Sequence, residues 1–302
     1  MASTASGSCF THSPDTLIHY RTHGCGPVHV VFIHGFAAAL TTWDDLAPLF
    51  PPDRFTLYLI DLKGFGFSSK PRCGSYSLEE QAAVVTAFIK AQGLRQVVLA
   101  GHSLGGGIAL LVALRAGERG DDGLIGRLVL LDCAAYPQRL PRFMRLLRVP
   151  VLARLGMALI PVRLIVKATL RAVFEDPAAI TAERILRYET CFGRRGIARV
   201  LIRTVRELSR TDASTVIQRY GAIDIPALII WGENDRIVRP AQGRRLAEDL
   251  PSARLAVIGT CGHNPHEEQP LRTYELMREF IEQEEEKGEG AGTAQRGRWP
   301  AQ

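Results

Sequence analysis

A serine in this chain has the surroundings that nucleophilic catalysis requires. Ser103 lies in Gly101-His102-Ser103-Leu104-Gly105, a G-x-S-x-G pattern between an apolar run and a helix-forming stretch. In this pattern the serine occupies a strained strand-to-helix turn, and the flanking glycines give clearance where a side chain would strike neighbouring backbone. A serine hydroxyl is a poor nucleophile near neutral pH, so it needs a base to take its proton and an acid to orient that base.

A histidine and an aspartate, each just past a predicted strand, can supply that base and that acid. Asp235 follows the apolar run 227–232, and His263 follows the run 254–258. The carboxyl ends of neighbouring parallel strands lie at one edge of a sheet, so both side chains are expected near Ser103. The chain order serine, aspartate, histidine is one of the orders in which these three residues occur together in catalytic sites.

Strand and helix patterns alternate on both sides of Ser103. Buried-type strands are predicted at 28–34, 55–61, 127–132, 227–232 and 254–258, with helices at 78–92, 104–116, 240–250 and 270–284. This alternation predicts a parallel sheet covered by helices on both faces.

The alternation lapses between residues 137 and 220, where the sequence is helical and rich in arginine. The segment 136–220 has 17 Arg and Lys against 6 Asp and Glu, or +11, and the remainder has 20 against 25, or −5. Because the basicity is local, the chain is not expected to bind nucleic acid. We predict a core at 14–136 and 221–284, a helical cap at 137–220, and disordered ends at 1–13 and 285–302.

Composition is typical of a globular protein, with 46% hydrophobic and 23% charged residues among 302. The six cysteines are far apart, with no spacing typical of a metal site, and no phosphate-binding glycine motif is present. No metal or other cofactor is therefore expected. The amino end resembles no signal peptide and no apolar run could span a membrane, so a cytoplasmic location is expected.

Five motifs in order resemble one known family. They are HGF at 34–36, DLKGFGFSSKP at 61–71, GHSLGG at 101–106, WGENDRIV at 231–238 and GHNPHEEQP at 262–270. Over residues 17–284 the chain resembles the α/β-hydrolase superfamily, in the group with a helical cap inserted after the sixth strand. The resemblance implies an α/β fold, with a mostly parallel eight-stranded sheet, helices on both faces and the inserted cap.

The resemblance also implies roles for particular residues. Ser103 would be the nucleophile, His263 the base and Asp235 the orienting acid, with Asp132 at a position that some members use for the acid instead. The oxyanion hole would be the backbone N–H groups of Phe36 and Leu104. Other residues would shape the site without reacting. The structural residues would be Asp61, Gly64, Gly66 and His266. The residues around the nucleophile and the oxyanion loop would be His34, Gly35, Gly101, His102 and Gly105.

The expected activity is hydrolysis of a fairly apolar carboxylic ester through an acyl-serine intermediate. Dehalogenases and epoxide hydrolases of this family are disfavoured because they carry aspartate where this chain has Ser103. Carbon–carbon hydrolases of ring-cleavage products stay open, although their oxyanion loop usually reads HG-x-GPG and this one reads HGFAAA from His34. A cofactorless haloperoxidase and, more distantly, a non-catalytic ligand receptor are further alternatives, and the oligomeric state is open.

The cap sequence 142–174 mixes apolar residues with spaced arginines such as Arg142, Arg145 and Arg148. It is expected to be an amphipathic lid over a hydrophobic pocket, with its basic face in water. A second interpretation is that this lid contacts an anionic lipid surface. Three apolar residues are candidates for setting the depth of the pocket, namely Leu146, Met157 and Leu164.

Overall fold

A single eight-stranded sheet forms the centre of the molecule in the computed structural model, which describes residues 7–121, 123–138, 141–210 and 213–290. The strands are β1 Ser8–Ser13, β2 Thr16–His23, β3 Val28–Ile33, β4 Phe55–Ile60, β5 Val97–His102, β6 Ile125–Leu131, β7 Ala227–Gly232 and β8 Ala253–Ile258. Their order across the sheet is β1-β2-β4-β3-β5-β6-β7-β8. The pairs β1–β2 and β2–β4 are antiparallel and the other five pairs are parallel, which confirms the predicted mostly parallel sheet.

Eleven α-helices accompany the sheet in the described part of the chain. They are α1 Leu78–Ala91, α2 Leu104–Glu118, α3 Arg142–Leu146, α4 Pro150–Leu159, α5 Val162–Val173, α6 Ala182–Phe192, α7 Ile197–Leu208, α8 Ser214–Ile217, α9 Pro240–Asp249, α10 Pro265–Glu268 and α11 Pro270–Gly290. None of them is both long and apolar enough to cross a bilayer.

The sheet is buried on both faces, which explains the continuous apolar runs of its central strands. Successive side chains of a strand point to opposite faces. Accordingly Val97 and Leu99 of β5 pack in one hydrophobic cluster, with helices α1 and α2, while Val98 and Ala100 pack in a second cluster with α11. This arrangement fixes β5 at the middle of the molecule and directs its carboxyl end towards Ser103.

The helices α3–α8 all lie between β6 and β7, in the range predicted as a cap. We call residues 137–220 the inserted segment. Its buried residues, such as Val166, Leu170 and Val200, belong to the same hydrophobic cluster as Leu99 of β5. The inserted segment therefore shares a continuous core with one face of the sheet.

The prediction of a disordered N-terminus at 1–13 is wrong for residues 8–13, which form β1. This strand pairs with β2, with Phe10 opposite Ile18, and the Phe10 ring packs edge-on against Phe88 at 5.8 Å between centroids. No hydrophobic pattern marks this strand in the sequence, because its residues are mostly small and polar. The strand is ordered by its pairing with β2 and by the contact between Phe10 and Phe88. Residues 1–6 lie outside the described residues.

The prediction of a disordered tail at 285–302 is also wrong in part. Helix α11 continues to Gly290, six residues beyond its predicted end. The run 282–287 is rich in Glu, which is a good helix former and can extend a helix whose first turns pack on the core. Residues 291–302 lie outside the described residues.

A test of β1 compares two substitutions in it. We expect Phe10→Ala to lower the free energy of unfolding by about 1–3 kcal/mol, because it removes the aromatic packing on Phe88. Thr11→Ala, at an exposed neighbouring position, should change it by less than about 0.5 kcal/mol. Urea unfolding followed by circular dichroism measures both, and equal values for the two variants would contradict an ordered, packed β1.

Candidate active site

Ser103 lies on a sharp turn between β5 and α2. Its backbone has φ +50° and ψ −114°, in the positive-φ region that residues other than glycine rarely occupy. A Cβ on Gly101 would lie 2.3 Å from the carbonyl oxygen of Gly105, and one on Gly105 would lie 2.2 Å from the carbonyl oxygen of Ile33. Both positions therefore need glycine, because the turn brings backbone against backbone.

Ser103, His263 and Asp235 form one hydrogen-bonded chain. The Oγ of Ser103 lies 3.0 Å from Nε2 of His263, and Nδ1 of His263 lies 2.8 Å from Oδ2 of Asp235. The other carboxylate oxygen of Asp235 accepts from the backbone N–H groups of Ile237 and Val238, at 2.7 and 3.0 Å. With Nδ1 donating to the carboxylate, Nε2 is left to accept the serine proton, which is the arrangement that activates a serine.

Asp132 lies beside Asp235, and the two carboxyl groups have opposite pKa shifts. Burial and the neighbouring charge of Asp235 raise the pKa of Asp132 well above its usual range. Burial also acts to raise the pKa of Asp235, but the charge and hydrogen bond of His263 outweigh burial and lower it. These opposite shifts favour a protonated Asp132 beside a charged Asp235, while the Oδ1 of Asp132 accepts from the N–H of Gly232 at 3.0 Å. Of these two carboxyl groups, only that of Asp235 forms a hydrogen bond with His263.

A cavity of about 420 Å³ opens at Ser103. Phe36 and Leu104, the two residues expected to provide the oxyanion hole, both line it together with Ser103. Leu104 is the first residue of α2, so its N–H belongs to the helix end whose donors have no partner within the helix. Both residues therefore border the space in which a substrate oxygen would lie, as a shared oxyanion hole requires.

The rest of the cavity wall is mostly apolar and comes from both the sheet core and the inserted segment. Met144, Leu208 and Val216 contribute from the inserted segment, and Arg148 and Glu79 add charged groups. Of the three residues expected to limit the pocket, Leu146 and Leu164 are wrong, because they are 49% and 56% exposed and point to solvent. Met157 is half-buried against the core but is not in the cavity wall either. Helical periodicity alone did not show which face of each short helix covers the sheet.

The loops before the site are held by Asp61 and His34, which do not reach Ser103. Asp61 is fully buried and accepts from the N–H groups of Leu40 and Phe67, at 2.8 and 2.9 Å. His34 bonds through Nδ1 to the carbonyl of Gly35 and through Nε2 to the N–H of Leu62. These bonds tie the loop after β3, which carries Phe36, to the loop after β4. Two of the glycines singled out there, Gly64 and Gly66, have positive φ, and a Cβ on Gly66 would lie 2.1 Å from the Asp61 carboxylate.

A column of aromatic rings supports His263 from behind. The rings of Trp43, His266, His102 and His263 follow one another with centroids 4.4, 4.5 and 4.9 Å apart. His102 Nε2 also bonds to the carbonyl of His263 at 2.8 Å. Burial lowers the pKa of His102 to about 3 and that of His266 well below its usual range, so both rings stay neutral beside the site. His102 and His266 are thus positioned to hold His263 rather than to compete with it as bases.

A buried polar cluster that the sequence analysis missed joins the inserted segment to the core. Arg184 of α6 pairs with Asp45 at 2.6 Å and lies 3.4 Å from the carboxylate of Glu267. Tyr188 and Asn264 each donate to Glu267 at 2.6 Å, and burial raises the pKa of this glutamate to about 7. Asn264 follows His263 directly, so this cluster fixes the loop that carries the histidine. The sequence held only a weak signal for it, since its members are scattered over more than 200 positions.

The inserted segment also touches the histidine loop through the main chain. The N–H of His263 donates to the carbonyl of Val173, the last residue of α5, at 2.8 Å. Two residues after Val173, the N–H of Glu175 donates to the carboxylate of Glu268 at 2.7 Å. A Cβ on Gly262 would lie 2.6 Å from the same Val173 carbonyl, so glycine is needed for this approach.

One group of possible metal ligands occurs among the described side chains, formed by Asp132, Asp235 and His263, whose ligand atoms lie within 4.8 Å of one another. His263 and Asp235 are hydrogen-bonded to each other, and Asp132 Oδ1 accepts from the backbone N–H of Gly232. The group is therefore explained by the proton-transfer chain itself.

Comparisons with known proteins agree with this geometry. A family model described as the alpha/beta hydrolase fold matches residues 28–270. The uncharacterized hydrolase YugF of Bacillus subtilis is 30% identical over 87% of this chain and 92% of its own length. A 2-hydroxy-6-oxononadienedioate/2-hydroxy-6-oxononatrienedioate hydrolase of Burkholderia vietnamiensis is 27% identical over 87% and 90%.

Among solved structures, a bacterial membrane phospholipase A superposes with a TM-score of 0.71 at 26% identity, over 92% of this chain and 86% of that one. The sheet order, the serine turn and these matches lead to the same assignment. The chain belongs to the α/β-hydrolase fold family and is a hydrolase.

Proposed function

We propose that this protein is a serine hydrolase that cleaves a fairly apolar carboxylic ester through an acyl-serine intermediate. The observation that carries the proposal is the hydrogen-bonded chain Asp235–His263–Ser103, which opens onto a mostly apolar cavity of about 420 Å³. A cavity of this size accommodates a small to medium acyl group. The phospholipase among the structural neighbours is an ester hydrolase by name, and this supports the choice of bond.

The proposed reaction follows from the positions of the donors and acceptors. His263 takes the proton of Ser103 through Nε2 as Oγ attacks the ester carbonyl, and the N–H groups of Phe36 and Leu104 stabilise the oxyanion. The histidine then returns the proton to the leaving alcohol, and the acyl group stays on Oγ. A water molecule, deprotonated by the same Nε2, attacks the acyl-serine, and the acid product leaves as Oγ regains its proton.

A second candidate is hydrolysis of a carbon–carbon bond in a ring-cleavage product. It is favoured by the name of the Burkholderia relative and by Arg148, a residue of the cavity wall whose side chain is of the type that binds a substrate carboxylate.

A cytoplasmic location is also proposed, because all six cysteines are unpaired, as a reducing compartment favours.

The first prediction is that a fluorophosphonate probe labels Ser103 covalently. Such probes react with a serine that a base has activated, and they imitate its tetrahedral intermediate. Ser103→Ala should abolish labelling, whereas Ser209→Ala, a change to a second serine in the cavity wall, should leave it intact. Labelling is read by mass spectrometry of the intact protein and its peptides. Persistent labelling of the Ser103→Ala variant would remove the nucleophile assignment.

A second prediction ranks the partners of the serine by turnover of a p-nitrophenyl ester. His263→Ala should lose about as much kcat as Ser103→Ala, on the order of 10⁶-fold, because the members of such a chain act as a unit. Asp235→Asn should lose less, on the order of 10⁴-fold. Asp132→Asn should lose less than about tenfold, since the amide can still donate to Asp235. A larger loss for Asp132→Asn than for Asp235→Asn would move the acid to position 132.

The third prediction concerns the acyl chain. Each methylene buried in an apolar pocket is worth roughly 0.8 kcal/mol, so kcat/KM should rise up to about fourfold per added CH₂ until the cavity is full. Val216→Asn, in the cavity wall, should shift the optimum to shorter esters, while Leu164→Asn, on the exposed surface, should not. A flat profile together with good turnover of a ring-cleavage diketone would assign the function to the carbon–carbon hydrolases.

A further inference from the structure

Exposed hydrophobic side chains are concentrated on one part of the inserted segment. Of the thirteen large hydrophobic residues exposed in the described part of the chain, eight lie within residues 146–164. Scattered exposed apolar residues are normal on a protein surface, but a contiguous set marks a surface that contacts something apolar. This concentration therefore calls for a binding partner.

The exposed residues of α4 share one face of the helix. Val151, Leu152, Leu155 and Leu159 are between 51% and 74% exposed and are spaced as i, i+1, i+4 and i+8. This spacing places them on one stripe, because a helix turns 100° per residue. The buried residue of the helix, Ala153, is on the opposite side and packs on the core. Helix α4 thus presents its more apolar face to the outside.

The charged residues of α3–α5 are all basic. Residues 142–174 contain six arginines and one lysine and no aspartate or glutamate. Arg145, Arg148 and Arg154 are exposed, and none forms an ion pair with any residue that the structure describes. Exposed leucines flanked by unpaired cations fit a surface that is apolar inside and negatively charged at its boundary.

The same short stretch of chain also forms part of the cavity wall. Met144 and Arg148 line the cavity that leads to Ser103, while the intervening Leu146 and the adjacent Val149 are 49% and 46% exposed. The exposed surface of α3 and α4 is therefore formed by the same short stretch of chain as one part of the cavity wall. No comparable apolar surface adjoins the cavity in the rest of the described chain.

We propose that the exposed face of α3–α5 binds the surface of an anionic phospholipid bilayer, with the leucines of α4 entering the boundary between headgroups and acyl chains. A second copy of the chain is disfavoured as the occupant, because a twofold interface would bring the exposed Arg145, Arg148 and Arg154 of one copy close to those of the other. The binding itself is independent of the proposed function. The further step, in which an ester from the membrane reaches Ser103, rests on the proposed ester hydrolysis.

The test is flotation of the full chain with vesicles of phosphatidylcholine alone or phosphatidylcholine mixed with phosphatidylglycerol. We expect at least about tenfold stronger partitioning to the anionic vesicles, falling as salt is added. Leu152→Glu/Leu155→Glu should weaken partitioning by about tenfold or more. The control Leu17→Glu/Leu271→Glu alters two exposed leucines elsewhere by the same charge and should change it by less than about twofold.

A second pair of variants tests the charge alone. Arg145→Gln/Arg154→Gln should lower partitioning to anionic vesicles by about thirtyfold, since each basic residue near such a surface contributes roughly fivefold. The control Arg239→Gln/Arg244→Gln removes two exposed arginines near α9 and should have little effect.

Three results would overturn the proposal: no binding to vesicles, equal binding to neutral and anionic vesicles, or a concentration-dependent dimer in sedimentation that Leu152→Glu/Leu155→Glu abolishes. The last would assign the face to a second copy. Fluorophosphonate labelling of Ser103 without vesicles reports on the proposed chemistry separately. A labelled protein that does not bind vesicles refutes only the surface, and a bound but unlabelled protein refutes only the chemistry.

Discussion

The backbone of Ser103 is held in a conformation that costs free energy, and most of the surrounding structure serves to hold it there. A residue other than glycine at positive φ costs about 1–3 kcal/mol, so the conformation persists only where neighbours over-determine it. Here the N–H of Ser103 donates to the carbonyl of Leu131, and its carbonyl accepts from Ala134, both on the neighbouring β6 side. The buried β5 supplies a rigid base for the turn. The strain places the hydroxyl at the mouth of the cavity before any substrate arrives.

The second requirement of the site is that a single negative charge should face His263. Three titratable side chains crowd within a few ångströms in a buried region, and two carboxylates there would repel each other. The opposite shifts of Asp132 and Asp235 resolve this, since one keeps a proton and the other is charged. The neutral rings of His102 and His266 add no positive charge that would compete with His263 for Asp235. Burial and neighbouring charges thus set the protonation state of each group. The hydrogen bond between His263 and Asp235 determines which carboxyl group orients the histidine.

Local signals in the sequence predicted the core well. The apolar strand runs and the glycines around Ser103 each indicate one local structure, so the central strands and the serine turn lie where expected. Long-range packing was not predictable in the same way. The order of β1 depends on Phe88, the cavity wall depends on how α3 and α7 rotate, and the Arg184–Glu267 cluster joins residues distant in sequence. None of these leaves a periodic pattern in the chain.

The hydrogen bond from His263 to the end of α5 connects the inserted segment to the loop that carries the histidine. A change in the inserted segment can therefore alter the position of His263. An insertion between β6 and β7 is an obvious place for evolution to vary the substrate, because its helices form much of the cavity wall. In this chain, however, a shortening of α5 at its carboxyl end also withdraws the carbonyl of Val173 from the histidine loop. A replacement of the inserted segment must therefore return an acceptor to that point. The inserted segment is constrained by one backbone atom as well as by the shape of the pocket.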